Sequence, residues 1–345
     1  MNTYSKGRIA FPIDEGDKDT PFDWWYMTSH FTTETGKKFS YTVAYISNGP
    51  ECCTRQTSVT NNIKKTYFWE LMKGSLISKK SLLNLTYLNS KGDKDHWYQK
   101  KDELFSYILS TGISKSLKLT VALTANKPPL VHNNGIIQMG SGGDSFYYSL
   151  TNLTLNGIFA HDGITEKVHG IAWIDRQWGS WNNNGYDGWE WFALQLNDNT
   201  EIMLYLFYDF LKEKRISHAL SIMFNDGTSV NLNDPQMFNL TNLDYWEVKN
   251  QNFQSISKWY FSNGWRLLIP IYGIDLTVTP IIKNQRIDQG SWEGSCRVIG
   301  KHNGIKINSI STVELTHLYV YPLQMRWIKN VPRLFGKLRN ASSKL

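Results

Sequence analysis

Asp175 is the residue on which chemistry could turn. It lies in the run HGIAWIDRQWGSWNNNGYDGWEWF (residues 169–192), where five tryptophans, Trp173, Trp178, Trp181, Trp189 and Trp191, crowd around one carboxylate and one guanidinium, Asp175 and Arg176. A carboxylate walled in by indole rings loses hydration, which favours its neutral form and raises its pKa. A carboxylic acid that keeps its proton near neutral pH can serve as a general acid. Ring faces nearby can stabilise positive charge that builds up after protonation, each by roughly 0.5–2 kcal/mol. Trp173, Phe146 and Tyr148 are the candidates for that role; the alternative for each is ordinary core packing. Strand alternation puts Trp173 and Asp175 on one face and Ile174 and Arg176 on the other, so a direct Asp175–Arg176 pair is not expected. His169 is a further titratable group beside the motif, more simply read as a satisfied strand histidine.

These groups need a scaffold, and the residue pattern points to an all-β one. Short runs rich in Tyr, Val, Ile, Phe and Thr recur between turn residues. Trp24 to Phe31 reads as a strand, Glu34 to Lys37 as a turn, and Lys38 to Ile46 as the returning strand. Trp189 to Leu196, the turn Asn197-Asp198-Asn199 and Thr200 to Tyr208 repeat that design. Phe146–Gly157 echoes Ser291–Gly300, and Gly170–Asp175 echoes Ile310–Leu315 in carrying an acid, Glu314 in the later copy, within a late strand. The echoes predict two related β units, residues 1–184 and 185–345, joined at the polar loop around Asn182–Gly185. Many short antiparallel strands at this spacing make sandwiches or barrels, and the cleft between two such units is a favoured place for a site. Trp24, Tyr26, Phe146, Trp178, Trp191 and Glu314 are the candidates to line it. Gly140-Ser141-Gly142-Gly143 reads as a loop at its lip.

Composition narrows the function classes. The chain has 345 residues, of which 41% are hydrophobic and 14% aromatic, and a formal net charge of +7. That is the profile of a folded globule. No Lys/Arg run is interleaved with aromatics, so no nucleic-acid partner is expected. Cys52, Cys53 and Cys296 form no even framework, and no metal-ligand spacing is present, so no metal is expected. The start of the chain has no apolar signal region and no apolar run is long enough to span a bilayer, which gives a cytoplasmic expectation. The tail RWIKNVPRLFGKLR (residues 326–339) mixes basic and apolar residues and is a candidate for peripheral contact with an anionic membrane. Nothing in the pattern fixes an oligomeric state. No nucleophile elbow, phosphate loop or dinucleotide fingerprint is found.

Four landmarks together resemble the carotenoid 1,2-hydratase (hydroxyneurosporene synthase) superfamily. They are Phe11-Pro12-Ile13-Asp14-Glu15-Gly16 with Asp23-Trp24-Trp25-Tyr26; Gly170 to Gly179; Trp191 to Asp198; and Trp292-Glu293-Gly294. The resemblance runs over nearly the whole chain. It implies two consecutive lipocalin-like domains, a hydrophobic pocket within or between them, no cofactor, and a large hydrophobic small-molecule substrate. Characterised members include carotenoid hydratases, a fungal phytoalexin hydratase and decalin-forming Diels–Alderases. Asp175 matches the aspartate thought to protonate a carbon–carbon double bond. Three departures stand out: Phe146-Tyr147-Tyr148 replaces a His-x-Trp pair, Trp173 replaces a tyrosine, and Asp23 replaces a glutamate. The leading expectation is therefore a cofactor-independent cyclase or isomerase of a polyene or isoprenoid-type metabolite. A hydratase, a non-catalytic carrier and a hydrolase rank after it in that order.

Overall fold

The computed structural model describes residues 3–47, 52–114, 116–140, 142–181, 187–209, 214–248, 259–287, 291–316 and 319–320. The expected Asn182–Gly185 loop and the basic tail lie outside these residues. Ten strands close a barrel as an antiparallel meander: Phe22–Thr33, Lys38–Ser47, Cys53–Asn61, Thr66–Ser78, Asn84–Asn89, Lys94–Gln99, Ser106–Ser114, Leu117–Ala125, Gly143–His161 and Ile164–Trp181, the last returning onto the first. An eleventh strand, Leu130–Gln138, pairs outside the ring with the first part of Gly143–His161. That long strand changes neighbours at a β-bulge: two residues separate Leu150 from Leu153, where Trp173 alone separates their partners Ile174 and Ala172. A second, nine-stranded sheet runs in the order Ser229–Asn231, Lys214–Met223, Glu201–Asp209, Asp187–Gln195, Ile305–Thr316, Ser291–His302, Ile274–Pro280, Trp265–Ile269 and Asn239–Asn242, and curls into a half-barrel. The molecule is all-β and lipocalin-like, as the residue pattern and the resemblance implied.

The hairpins read from the sequence are present with slightly different ends. Phe22–Thr33 turns through Gly36 (φ 83°) into Lys38–Ser47, and Asp187–Gln195 turns through Asn199 (φ 61°) into Glu201–Asp209. Both turn positions need left-handed backbone, which Gly and Asn tolerate.

Strand alternation sorts the side chains into three cores. Trp25, Met27 and Phe31 point into the barrel, with Ala172, Ile174, Trp178 and Tyr148. Phe192, Leu194 and Val313 point into the half-barrel. A third apolar layer lies between the sheets, built from Leu130, Ile137, Met139, Tyr147, Trp173, Trp181, Trp191, Met203, Tyr205 and Phe207, with Trp24, Tyr26 and Trp189 packed against it. The first strand of the barrel is thus buried on both faces, which explains its run of large residues.

Arg176 anchors the amino-terminal landmark. It is fully buried, pairs with Asp23, and donates from Nε to the Glu15 carbonyl (3.3 Å) and from a terminal nitrogen to the Gly16 carbonyl. Its guanidinium lies 4.1 Å from the centre of the Trp25 ring. The Phe11–Gly16 stretch therefore closes against the barrel rather than lining a site. Glu15, also buried, takes a hydrogen bond from Tyr107, and burial pushes its carboxyl up to about 8.

Candidate active site

A narrow slot opens within the layer between the two sheets and encloses about 50 Å³ of free space. Its walls are Trp24, Tyr26, Ile137, Met139, Tyr147, Asp175, Gln177, Trp189, Trp191, Tyr205 and Glu314. Most of the wall is aromatic, and two of its residues are acids. Trp24 and Trp189 approach from opposite sheets with ring centres 6.1 Å apart, and Tyr26 meets Trp191 edge-to-face at 5.2 Å.

Asp175 is held by hydrogen bonds on three sides. Tyr147 Oη donates to Oδ2 (2.5 Å), Trp173 Nε1 donates to Oδ1 (2.6 Å), and Ser149 Oγ lies in hydrogen-bond contact with Oδ1. Trp191, from the second sheet, donates its indole N–H to Tyr147 Oη (2.8 Å) and so fixes the phenol that touches Asp175. Burial raises the Asp175 carboxyl to about 7, against the pull of its Ser149, Tyr147 and Trp173 partners. The acid is thus poised to give up or take back a proton near neutrality.

The second acid sits on the opposite wall. Glu314 stands directly across the ladder from Glu293. Glu293 accepts from Tyr26 Oη (2.6 Å) and from Gln56 Nε2 (2.7 Å), both on the barrel. Burial and then the charge of Glu293 push Glu314 well above the usual carboxylate range, and burial raises Glu293 as well. Two carboxyls this close hold one proton between them more readily than two charges.

The structure gathers Trp24, Tyr26, Asp175, Trp191 and Glu314 from the sequence-based candidates. Trp173 lies fully buried behind Asp175 as its hydrogen-bond donor, not as a wall of the slot. Three candidates fall elsewhere. Phe146, Tyr148 and Trp178 point into the barrel, where Phe146 stacks on Trp178 at 5.2 Å and Tyr148 packs edge-on against Phe11 at 4.8 Å. The physical reason is the pleat: Ser149 pairs directly with Asp175, so the residues sharing its face are Tyr147 and Ser149, one position off the expected pair. His169 is exposed on the outer strand surface. At the Gly140–Gly143 turn Met139 reaches the slot, and Gly140, with φ 60°, lies so close to Phe207 that a Cβ there would meet its ring at 2.4 Å. Among the described residues no cluster of His, Cys, Asp and Glu is arranged to hold a metal ion.

Sequence reasoning placed Trp189 in the aromatic wall but missed Tyr147, Ser149, Glu293 and Tyr205 as site residues, and with them a buried imidazole, His132. Period-two alternation could have paired Tyr147 with Ser149, but only strand register tells which pair faces Asp175. His132 donates or accepts at both nitrogens, with Ser149 Oγ at 2.8 Å and Ser221 Oγ at 2.9 Å, and carried no local signal.

A closed barrel and a curled sheet clasping an acid-bearing aromatic slot define a tandem lipocalin-like protein. The sequence matches the AttH-like family over residues 2–306, and the chain belongs to that family. Its fold is similar to the crystal structure of an AttH-type protein from Nitrosomonas europaea, at 20% identity and a TM-score of 0.74 over 93% of this chain and 100% of that one. Kievitone hydratase from Nectria haematococca is similar at 16% identity and a TM-score of 0.71, over 92% and 96% of the two chains. CghA is similar at 11% identity and a TM-score of 0.52, over 87% and 89%. Likeness at these identities shows a shared fold. A search of curated proteins finds no significant match. The family shown is thus AttH-like, and the carotenoid 1,2-hydratase that the landmarks resemble is not among these matches.

Proposed function

We propose that the protein is an enzyme that protonates a carbon–carbon double bond in an unsaturated hydrophobic small molecule and lets the resulting cation close a ring. Asp175 is the acid: its O–H proton goes to one alkene carbon, and the π electrons form the new C–H bond. The cation left on the neighbouring carbon lies beside the indoles of the slot wall, Trp24, Trp189 and Trp191, where each well-placed ring contributes roughly 0.5–2 kcal/mol. A second double bond of the same molecule attacks the cation, and loss of a proton to the Asp175 carboxylate restores both the acid and an alkene. Substrate and product then share one formula. The observation that carries this reading is a buried carboxyl raised to about 7 and opening onto an aromatic slot between the two sheets. A slot formed by preorganised walls also folds the substrate into its reactive shape, which alone supplies several kcal/mol of barrier reduction.

Hydration is the second reading, favoured by the hydroxyls and acids that stand among the indoles of the slot. Tyr26, Tyr147 and Glu314 line the slot and offer a water molecule donors and acceptors beside the cation. Water oxygen would then attack the cation and pass its extra proton to a carboxylate. The similarity in fold to kievitone hydratase agrees with this alternative without deciding it.

The deciding experiment compares lipophilic extracts of the native host with and without the gene, then incubates the accumulating compound with purified protein. A product of unchanged formula supports cyclisation, and a product heavier by one water supports hydration. Recovery of the compound unchanged leaves a carrier, and full turnover by Asp175→Asn sinks the assignment of the acid to Asp175.

A further inference from the structure

Behind Asp175 a line of hydrogen bonds leaves the slot and crosses to the second sheet. It runs from Asp175 Oδ1 to Ser149 Oγ, from Ser149 to His132 Nε2 (2.8 Å), from His132 Nδ1 to Ser221 Oγ (2.9 Å), and from Ser221 to Asn231 Oδ1 (2.6 Å). Ser149, His132 and Ser221 are buried, while Asn231 is at the surface. The backbone N–H of Asn133 also donates to Asn231 Oδ1 (3.2 Å), which identifies that atom of the amide as the oxygen.

The fixed end sets the direction of every bond. An oxygen has no proton to offer, so Ser221 must donate its only one to Asn231. Ser221 can then only accept from His132, so the imidazole proton sits on Nδ1. Burial, with Lys6 adding to it, pushes the His132 imidazolium down to about 3, so near neutral pH the ring holds that proton alone and Nε2 is bare. Ser149 must therefore donate to Nε2. Its proton is spent, and the remaining contact, Ser149 Oγ to Asp175 Oδ1, requires a proton supplied by the carboxyl.

We infer that His132 is a positioning residue: the chain from Asn231 through Ser221, His132 and Ser149 holds Asp175 in its protonated form. The second sheet thereby sets the state of an acid carried by the first. The same chain favours recovery of the acid after proton transfer. A carboxylate at Asp175 faces a serine whose proton is committed elsewhere, so it is one hydrogen bond poorer and readily takes a proton back. The other groups around this acid do not reverse that preference. Tyr147 donates to Oδ2 and Trp173 Nε1 to Oδ1, contacts that favour the carboxylate but that a neutral carboxyl also accepts, and burial outweighs them; Tyr148 on the barrel side and Tyr26 across the ladder are held in their neutral phenol form by burial; and the acids Glu314 and Glu293 disfavour a further negative charge.

This inference gives a purpose to the proposed role of Asp175, but its test needs no substrate. The protonated-carboxyl stretch of Asp175 is read by infrared difference spectroscopy, wild type minus Asp175→Asn, as pH is raised. Ser221→Ala removes the anchor and lets His132 move its proton to Nε2, so Ser149 turns to donate to Asp175. The band should then vanish at least one pH unit earlier, a tenfold or greater fall in proton affinity, and His132→Leu should do the same. Ser221→Thr should restore the wild-type midpoint. Ser217→Ala, a hydroxyl on the same strand that bonds the Gln138 carbonyl instead, should leave it unchanged. A folded Ser221→Ala protein with an unshifted midpoint overturns the inference, whatever its turnover. A shifted midpoint with an active Asp175→Asn enzyme overturns the proposed catalytic role and leaves the chain standing.

Discussion

The two sheets carry the same row of positions and fill it differently. In the barrel, Tyr26, Asp175 and Ser149 stand side by side on three adjacent strands; in the half-barrel the row is Trp191, Glu314 and Glu293. Each row braces the other: Tyr26 donates to Glu293, and Trp191 donates to Tyr147 beside Asp175. The decisive difference is the neighbour of the central acid. Asp175 has a hydroxyl beside it and is tied into a neutral hydrogen-bond chain. Glu314 has a second carboxyl beside it, and its proton is held by burial and then by repulsion between like charges. One position beyond the acids the contrast inverts, since Arg176 packs on Trp25 in the barrel where Leu315 faces Glu190 in the half-barrel. The two sheets thus share the geometry of this row and differ in whether its central acid is hydrogen-bonded to a hydroxyl or paired with a carboxyl.

The largest expected effect separates the two acids. Asp175→Asn should cut turnover of the native substrate by about 10²–10⁴-fold, the range for loss of a general acid. Glu314→Gln should cost far less, because it removes one of two carboxyls and keeps the shape of the wall. Steady-state rates on the compound identified from the host decide this. Equal losses would make the two rows functionally equivalent, and a larger loss for Glu314→Gln would move the acid to the second sheet.

The next effect concerns stability and the position beside each acid. Arg176→Ala strands Asp23 without its buried partner and removes the tie to Glu15 and Gly16, so it should cost about 3–5 kcal/mol. Leu315→Ala at the matching position loses apolar contact only, and should fall toward the lower part of the roughly 2–5 kcal/mol range for such truncations. Denaturant unfolding of both variants checks the order. If Leu315→Ala were the more damaging, the barrel's ionic anchor would not be what closes its amino-terminal landmark.

The paired and hydrogen-bonded acids should also leave a signature in pH. Asp175 is raised to about 7 and Glu15 to about 8, and Glu314 lies well above the ordinary range. The folded protein therefore keeps protons that the unfolded chain has already released, so stability must fall as pH rises through these values. Buried His30, pushed down to about 4, and His132, to about 3, act in the opposite sense below about pH 6.5, where an unfolded histidine would gain a proton. The clean window is thus about pH 6.5 to 8, where the carboxyls act alone. Wild type should lose stability across it, on the order of one to a few kcal/mol, and Glu314→Gln should flatten the slope. Thermal melts at the two ends test this, and a variant slope as steep as wild type would mean that the carboxyl pair is not holding the proton.

Much of the contrast between the sheets is legible in the chain itself. The recurrence of Asp23-Trp24-Trp25-Tyr26 in Gly188-Trp189-Glu190-Trp191, and the late-strand acids Asp175 and Glu314, sit in matching register across their sheets. Alternation correctly puts Trp173 and Asp175 on one face, because period two is local. The parity of the strand opposite is not local. It is set by pairing, and the bulge after Leu150 resets which residues point inward, so the residue pattern assigns Tyr148 and Phe146 to the face that Tyr147 and Ser149 occupy. His132, Ser221 and Glu293 are invisible in the sequence for a related reason. Each acts through a partner far along the chain, between 17 and 267 residues away, and no spacing rule reaches across two sheets.

The smallest expected effect uses one interaction in two settings. Arg176 and Asp23 pair inside the barrel, whereas Arg266 and Asp275 pair on the surface of the half-barrel through two bonds of 2.9 and 2.8 Å. The surface pair has the better fork geometry, yet both its partners stay solvated when separated, and salt screens what attraction remains. Arg266→Ala should therefore shift the unfolding midpoint by no more than the scatter between replicate melts, and less again at high salt. Arg176→Ala should remain severe in the same salt, because a buried charge left alone is not reached by mobile ions. If the two variants behaved alike, desolvation would not be what separates the interiors of the two sheets from their surfaces, and the contrast drawn between Asp175 and Glu314 would lose its physical basis.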